Sequence, residues 1–231
     1  MLLVSEIFGP TIQGEGAAVG QPAVFMRTAG CNLACVWCDT PYTWDWKRFD
    51  KGQEAVRMEV ATVAHEIRAR RPAAAATCIL VLTGGEPLLQ APALAQLIQL
   101  LRDDDWTVHV ETAGTRLPGP VLELVDVFNV SLKLAHSGNP QAKRFAPNVI
   151  EALRDSGKAV WKFVAAEPYD LEEVQDLVDR FGLAPVYIMP EGVTHEALQQ
   201  HALALIPYIL QRGWSLSPRY QIEIWGDRRG V

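Results

Sequence analysis

The stretch that most constrains this chain is Cys31-Asn32-Leu33-Ala34-Cys35-Val36-Trp37-Cys38. It holds three of the four cysteines, spaced Cys-x3-Cys-x2-Cys. Thiolates are soft ligands, and three on one short loop suit zinc or an iron–sulfur cluster. A closed structural zinc site and an ordinary 4Fe–4S site each take four protein ligands. Three ligands leave one iron of a cube open to something else. The remaining cysteine, Cys78, opens the apolar run Cys78-Ile-Leu-Val-Leu-Thr83, the pattern of a buried strand. It lies five strand steps from the end of that run, roughly 16 Å, and reads as a small core thiol. On spacing alone, a zinc knuckle stays open as the other reading of the triplet.

The rest of the chain bounds the setting. Its 231 residues, 49% of them hydrophobic, can fill a core and read as one domain, 1–231. Net charge is −6, with no basic block, which argues against direct nucleic-acid binding. Leu2-Leu3-Val4 meets Ser5-Glu6 at once, so no signal peptide is expected. No apolar run reaches about 18 residues, so no membrane span is expected. Clustered cysteines without a secretory leader fit a reducing cytoplasm.

Strands are expected at 2–8, 23–28, 78–83, 107–110, 127–131, 159–164 and 186–189, and a last one at 220–225. Helices are expected at 58–70, through Leu94, Leu97, Ile98 and Leu101, weakly at 120–124, up to Leu153, at 171–181 and at 194–210. The alanine run 73–76 reads as a helix end or loop. Strands alternating with helices mean βαβ units and a parallel α/β sheet. Six such strands are too few for a closed eightfold barrel. Functional residues belong at the carboxyl ends of the strands, where Cys31, Thr83, Glu111, Ser131 and Met189 fall.

Several side chains stand out on their own. The loop Gly9-Pro-Thr-Ile12-Gln13-Gly14-Glu15-Gly16 sets Gln13 and Glu15 among glycines that let backbone approach a ligand. Arg27, inside the apolar stretch before Cys31, is costly unless paired. It reads either as a structural ion pair or as a fork for a carboxylate. Tyr42, Trp44, Trp46 and Phe49 in a polar stretch read as a lid or an interface. Trp44, Trp46 and Phe49 are expected to expose aromatic surface that favours a homodimer. The five histidines show no metal-ligand spacing. Thr40, two residues after Cys38, reads from sequence as the cap of the next turn.

Cys-x3-Cys-x2-Cys with Trp37 before the last cysteine resembles the radical S-adenosylmethionine superfamily. Thr83-Gly84-Gly85-Glu86-Pro87 is similar to its GGEP motif. Glu111-Thr112-Ala113-Gly114, Ser131-Leu132-Lys133 and Met189-Pro190-Glu191-Gly192 resemble its later cofactor-contacting strand ends. The resemblance implies a partial (β/α)6 barrel, trimmed where helices are weak. It implies a 4Fe–4S cluster on Cys31, Cys35 and Cys38, with S-adenosylmethionine chelated on the open iron. An electron then cleaves a carbon–sulfur bond to give a 5′-deoxyadenosyl radical. The cofactor contacts implied are Trp37, Cys38, Asp39, Gly84, Gly85, Glu86, Glu111, Thr112, Ser131, Lys133, Met189, Pro190, Glu191 and Gly192, with Glu86 on the cofactor's amino group. The zinc reading accounts for none of these later motifs.

Gln13-Gly14-Glu15-Gly16 matches, residue for residue, a loop of the 7-carboxy-7-deazaguanine synthase family. Those enzymes convert 6-carboxy-5,6,7,8-tetrahydropterin to 7-carboxy-7-deazaguanine with loss of ammonia. The resemblance implies that Ile12, Gln13, Gly14, Glu15, Gly16, Arg27, Thr83 and Val231 contact the substrate, Arg27 through its carboxylate. It implies Mg2+ on Thr40 and the substrate carboxylate, a homodimer, and a flavodoxin- or ferredoxin-type electron donor. One departure stands out: Gln221 occupies the place of a histidine that many members carry, and an amide does not titrate. Two other readings remain, a glycyl-radical-enzyme activase and a non-catalytic zinc module. The Gln13–Gly16 loop and Arg27 argue against the activase, because a peptide glycine offers neither a pterin edge nor a free carboxylate.

Overall fold

Period-2 burial along the strands decides which side chains reach the site. In a computed structural model describing residues 1–75 and 77–231, the strands are β1 (Leu2–Ile12), β2 (Pro22–Thr28), β3 (Val56–Met58), β4 (Cys78–Gly84), β5 (Trp106–Thr112), β6 (Val127–Val130), β7 (Ala159–Ala165), β8 (Val186–Pro190) and β9 (Ser215–Leu216). They form one sheet in the order β3-β1-β2-β4-β5-β6-β7-β8-β9. Pairing is parallel from β2 through β9. β1 runs antiparallel to both its neighbours. The six expected parallel strands thus stand side by side as β2 and β4 through β8. The sheet does not close on itself, which is the partial-barrel arrangement.

Helices α1 (Lys51–Glu54), α2 (Val60–Arg70), α3 (Ala91–Leu101), α4 (Gln141–Arg144), α5 (Pro147–Asp155), α6 (Asp170–Phe181), α7 (His195–Gln211) and α8 (Tyr220–Trp225) complete the chain. Their apolar stripes follow helical spacing. In α6, Leu171, Val174, Leu177 and Phe181 are buried, acidic residues fill the first turn, and Gly182 ends the helix in the left-handed region. The main core lies between these stripes and the outward face of the sheet. Leu80 and Leu82, Val108 and Val110, Phe128 and Val130, and Trp161 and Phe163 all belong to it, as does Cys78. Alternation sends the residues between them to the other face. There the apolar ends of the strands, Ala23, Ile79 and Val81, form a small second cluster. Further along, the same face carries Arg27, Thr83, Glu111, Asn129 and Lys162.

Several expectations change. Residues 220–225 form helix α8, not a strand. Tyr-Gln-Ile-Glu-Ile-Trp alternates like a strand, but the place beside β8 is already taken by β9. One helical turn instead buries Ile222 and turns Gln221 inward. No α-helix forms at 120–124. A 3-10 turn at Gly119–Val121 is all that joins β5 to β6 there, so the trimming falls in that crossover. Gly9 to Ile12 belong to β1, which passes a register shift between Phe8 and Thr11. In the alanine run, Ala76 lies outside the described residues. No helix among the described residues is long and apolar enough to cross a membrane.

Candidate active site

The inner face of the sheet opens at its carboxyl ends into a cavity of about 320 Å3. Cys31, Cys35 and Cys38 line it together, on the loop that leaves β2. Cys78 is buried on the opposite face, among the helices, as a core thiol should be. Burial pushes the Cys31 thiol up to about 11, and raises Cys35 in the same direction. Such thiols stay neutral until a metal takes their protons. Three half-buried sulfurs on one concave wall, with cavity rather than protein in front of them, fit a cluster that keeps one iron open.

Gly84 and Gly85 line the same wall. Gly84 has φ +150, and a Cβ there would meet Thr28 Oγ1 at 2.2 Å, so only glycine lets β4 end against β2 at this point. Glu86 lies deeper than the two glycines before it. It is fully buried beneath the cavity, outside its lining. Its carboxylate accepts Leu88 N–H at 3.0 Å, Thr112 Oγ1–H at 2.8 Å and Ala113 N–H at 2.8 Å. Burial raises its pKa. These bonds tie β4 to β5 through Glu86. Pro190 and Gly16 also stand outside the lining. Pro190 borders a separate cavity beside α7, and Gly16 donates its N–H to Ser217 Oγ at 2.8 Å.

The other expected residues do converge. Ile12, Gln13, Gly14, Glu15, Arg27, Trp37, Asp39, Thr40, Thr83, Glu111, Thr112, Ser131, Lys133, Met189, Glu191, Gly192 and Val231 all line this one cavity. Lys133 Nζ donates to Ser131 Oγ at 2.8 Å and lies 5.6 Å from the Trp37 ring centroid. The Thr40 hydroxyl makes no capping bond and sits 3.7 Å from Cys38 Sγ, so the capping role expected from sequence is not taken up.

Charge is organised around Glu15. Its Oε2 accepts Lys162 Nζ at 2.6 Å, and its Oε1 accepts Arg219 Nε at 3.2 Å and Gln221 Nε2 at 2.6 Å. Burial pushes the Glu15 carboxyl up, but Lys162 and then Arg219 outweigh it and hold it at about 2. Lys162 also reaches Glu111 Oε2 at 3.0 Å. Burial opposes its charge, yet Glu111 and Glu15 raise its pKa above the usual value. Arg219 bonds to Asp39 as well and donates to Gly192 O at 2.6 Å. It therefore joins the loops after β1, β2 and β8. A Cβ on Gly14 would meet Gln221 Oε1 at 2.0 Å, so this glycine is what lets α8 close on the β1 loop.

Arg27 carries both of its readings. Its Nε donates to Glu6 Oε1 at 2.7 Å, a salt bridge with the side chains 17% and 14% exposed. Tyr42 and Arg229 bond to the same Glu6. Among the described residues the Arg27 terminal nitrogens make no hydrogen bond, and the residue lines the cavity. The aromatic stretch also differs from expectation. Tyr42, Trp44, Trp46 and Phe49 are half-buried, not exposed. Tyr42 and Trp44 line the cavity, and Phe49 packs edge-on against Tyr42. The stretch is a wall of the site.

Sequence reasoning passed over Lys162, Arg219, Asn139 and Glu6. The signal for Lys162 was present, since a lysine inside the apolar run of β7 raises the same question as Arg27 in β2. Arg219 and Asn139 lie in irregular segments, where no period flags an inward side chain.

Residues 25–180 match the radical SAM superfamily. The 7-carboxy-7-deazaguanine synthase of Pyrobaculum aerophilum is 37% identical over 98% of this chain and 96% of its own length. That of Rhodopirellula baltica is 36% identical over 100% of this chain and 89% of its own. Among solved structures, QueE from Escherichia coli superposes with a TM-score of 0.68 at 25% identity, covering 94% of this chain and 92% of that one. Streptococcus suis SuiB, bound to its precursor peptide, shares the fold at a TM-score of 0.59 and 12% identity. The thiol loop, the glycine-lined strand end and the Gln13–Gly16 loop around one cavity are the local counterpart of that likeness, and the chain belongs to the radical SAM superfamily and, within it, to the 7-carboxy-7-deazaguanine synthase family.

Proposed function

We infer that this chain is a radical S-adenosylmethionine lyase that converts 6-carboxy-5,6,7,8-tetrahydropterin to 7-carboxy-7-deazaguanine, releasing ammonia, on the way to 7-deazapurine nucleosides such as queuosine. One observation carries the reading. Gln13 and Glu15, from the loop after β1, line the same cavity as the three cysteines and Arg27, whose terminal nitrogens are unused.

Cys31, Cys35 and Cys38 would hold the 4Fe–4S cluster, and Cys78 takes no part. When bound there, the cluster and S-adenosylmethionine would supply the one-electron radical chemistry that the conversion of the pterin requires. Everything else falls to side chains. Glu15, ionised and acceptor-only, suits the N–H donors of the pyrimidinone edge, and the Gln13 amide offers both a donor and an acceptor. Arg27 suits the carboxylate through its two terminal nitrogens, because its Nε is already fixed on Glu6. The Thr83 hydroxyl is within the same wall. Trp37, Asp39, the Gly84-Gly85 backbone, Glu111, Thr112, Ser131, Lys133, Met189, Glu191 and Gly192 are the contacts proposed for the sulfonium cofactor. Trp44 and Tyr42 on one side, and 227–231 on another, keep bulk water from the reacting carbon.

We further propose Mg2+ on the Thr40 hydroxyl and the substrate carboxylate. Outside the cysteine loop, no three His, Cys, Asp or Glu side chains among the described residues gather to hold a metal ion. Mg2+ needs no such cage, since it keeps several waters and takes one or two protein ligands. The chain is taken to act as one domain, as a homodimer, in the cytoplasm, fed by a flavodoxin- or ferredoxin-type donor.

The test is anaerobic incubation with the carboxypterin, S-adenosylmethionine and a reductant. The expected result is about four irons per chain and appearance of the deazaguanine chromophore. A reconstituted chain that holds iron yet turns over no pterin overturns the reading. For magnesium, chelation and Thr40→Val are each expected to depress turnover. Equal rates with and without Mg2+, together with a fully active Thr40→Val, would remove the ion from the site.

A further inference from the structure

Each cysteine sulfur of the loop receives an N–H hydrogen bond from the protein, and Cys38 Sγ also lies 3.7 Å from the Thr40 hydroxyl. Leu33 N–H lies 3.4 Å from Cys31 Sγ. Asn139 Nδ2 lies 3.2 Å from Cys35 Sγ, and Trp44 Nε1 lies 3.3 Å from Cys38 Sγ. The first is a local backbone contact, set by the turn itself. The other two come from side chains on separate segments.

Both donors are held in place. Asn139 is 7% exposed, and its Oδ1 accepts Ala34 N–H at 2.9 Å. That bond fixes which end of the amide faces the sulfur, because a flipped amide would set its NH2 against the Ala34 N–H. The same segment accepts Val36 N–H at Ser137 O, 3.0 Å away. Residues 137–139 therefore clasp the cysteine loop on both sides of Cys35. The Trp44 ring is half-buried in the cavity wall, and an indole has only one polar atom, its N–H, which donates and never accepts. Asn139 stands outside the cavity lining.

We propose that Asn139 and Trp44 are positioning residues that raise the reduction potential of the cluster by donating hydrogen bonds to its cysteine sulfurs. The proposal rests on the reading of Cys31, Cys35 and Cys38 as the cluster ligands. Hydrogen bonds to the sulfurs and exposure to solvent are the means by which a protein sets such a potential. One-electron reduction adds a negative charge that the thiolate sulfurs share. A fixed donor dipole stabilises that added charge without having to reorient. Two such dipoles, on the Cys35 and Cys38 thiolates, make the reduced form accessible to a weaker donor than a loop with backbone contacts alone would need.

The experiment compares the reconstituted parent with Asn139→Leu, Trp44→Phe and, as a control, Trp46→Phe, whose ring lies outside the cavity lining. Iron and sulfide are counted first, and the one-electron midpoint is then titrated by electron paramagnetic resonance. Trp44→Phe and Asn139→Leu are expected to keep the parent's iron content and to shift the midpoint to lower potential. A shift of about tenfold in the redox equilibrium for each bond is about 59 mV for one electron. Trp46→Phe is expected to match the parent. If Asn139→Leu fails to fold, Trp44→Phe, which keeps an aromatic ring at this position and removes the N–H donor, decides alone. Full clusters at the parent's potential in the folded variants overturn the proposal and leave the ligand assignment standing. A parent that assembles no cluster overturns the ligand assignment itself.

Discussion

Lys162 is the residue on which the substrate half of the cavity depends, because it separates two carboxylates that would otherwise face each other. Its removal in Lys162→Met should let the Glu15 pKa rise from about 2 toward the ordinary range. The sign is fixed by the direction of that shift. A carboxyl depressed in the folded state adds stability that is complete above its unfolded pKa and fades as pH falls toward 2. In the parent this contribution is about 3 kcal/mol at most. The urea midpoint of the parent should therefore fall between pH 5 and pH 3 more steeply than that of Lys162→Met. Parallel profiles would show that Lys162 does not set the Glu15 charge. Arg27 makes a second prediction at this scale. A lysine has one nitrogen and no planar fork, so it cannot keep one nitrogen on Glu6 while two others grip a substrate carboxylate in parallel. Arg27→Lys should keep its fold but bind the carboxypterin about 2 kcal/mol more weakly by calorimetry. An unchanged dissociation constant would leave Arg27 as no more than the tie to Glu6.

Helix α8 shows how an element can be misread while its residues still matter. The sequence Tyr220 to Trp225 alternates in the manner of a strand, and the six parallel strands β2 and β4 through β8 were legible because apolar runs and flanking helices repeat. What the alternation omits is that an edge slot must be free. Here two residues, Ser215 and Leu216, fill the slot beside β8, and so short a strand has no period to detect. Most of the cavity lining was legible because its residues sit in short motifs at strand ends. The burial of Glu86 was not legible, because a motif gives a residue's neighbours in sequence, not the three donors that surround it. Arg219 and Asn139 were missed because their partners lie more than a hundred residues away. The prediction for this scale concerns Arg219→Met. It should release α8 and the residues beyond it, seen as faster hydrogen exchange across 214–231, and should lower stability by several kcal/mol, since Glu15 loses one of its two cations. Exchange rates equal to those of the parent would mean that α8 is held by Ile222 alone.

At the scale of the whole molecule, the exposed apolar surface is not where the aromatic stretch suggested. Leu203 and Leu210, seven residues apart on α7, are 67% and 72% exposed, and Leu203 borders the same outer cavity as Leu216 of β9. Seven residues place two side chains on one helical face. If the chain pairs with itself, this strip is the expected contact. Light scattering should then give a dimer mass at micromolar concentration, and Leu203→Glu with Leu210→Glu should give a monomer. A parent that already has the monomer mass would dismiss the dimer. The bond from Arg219 to Glu15 spans 204 residues, and it has a consequence for inheritance. The middle of the chain carries the cysteines and the glycine-lined strand end, while its two extremities together wall the far side of the cavity. A lineage that recombined only one extremity would leave a buried carboxylate or a buried guanidinium without its counterpart, at a cost of about 3–5 kcal/mol. The two ends of such a chain are therefore expected to be inherited as a matched pair, together with the Lys162 that bonds the same Glu15 from the middle.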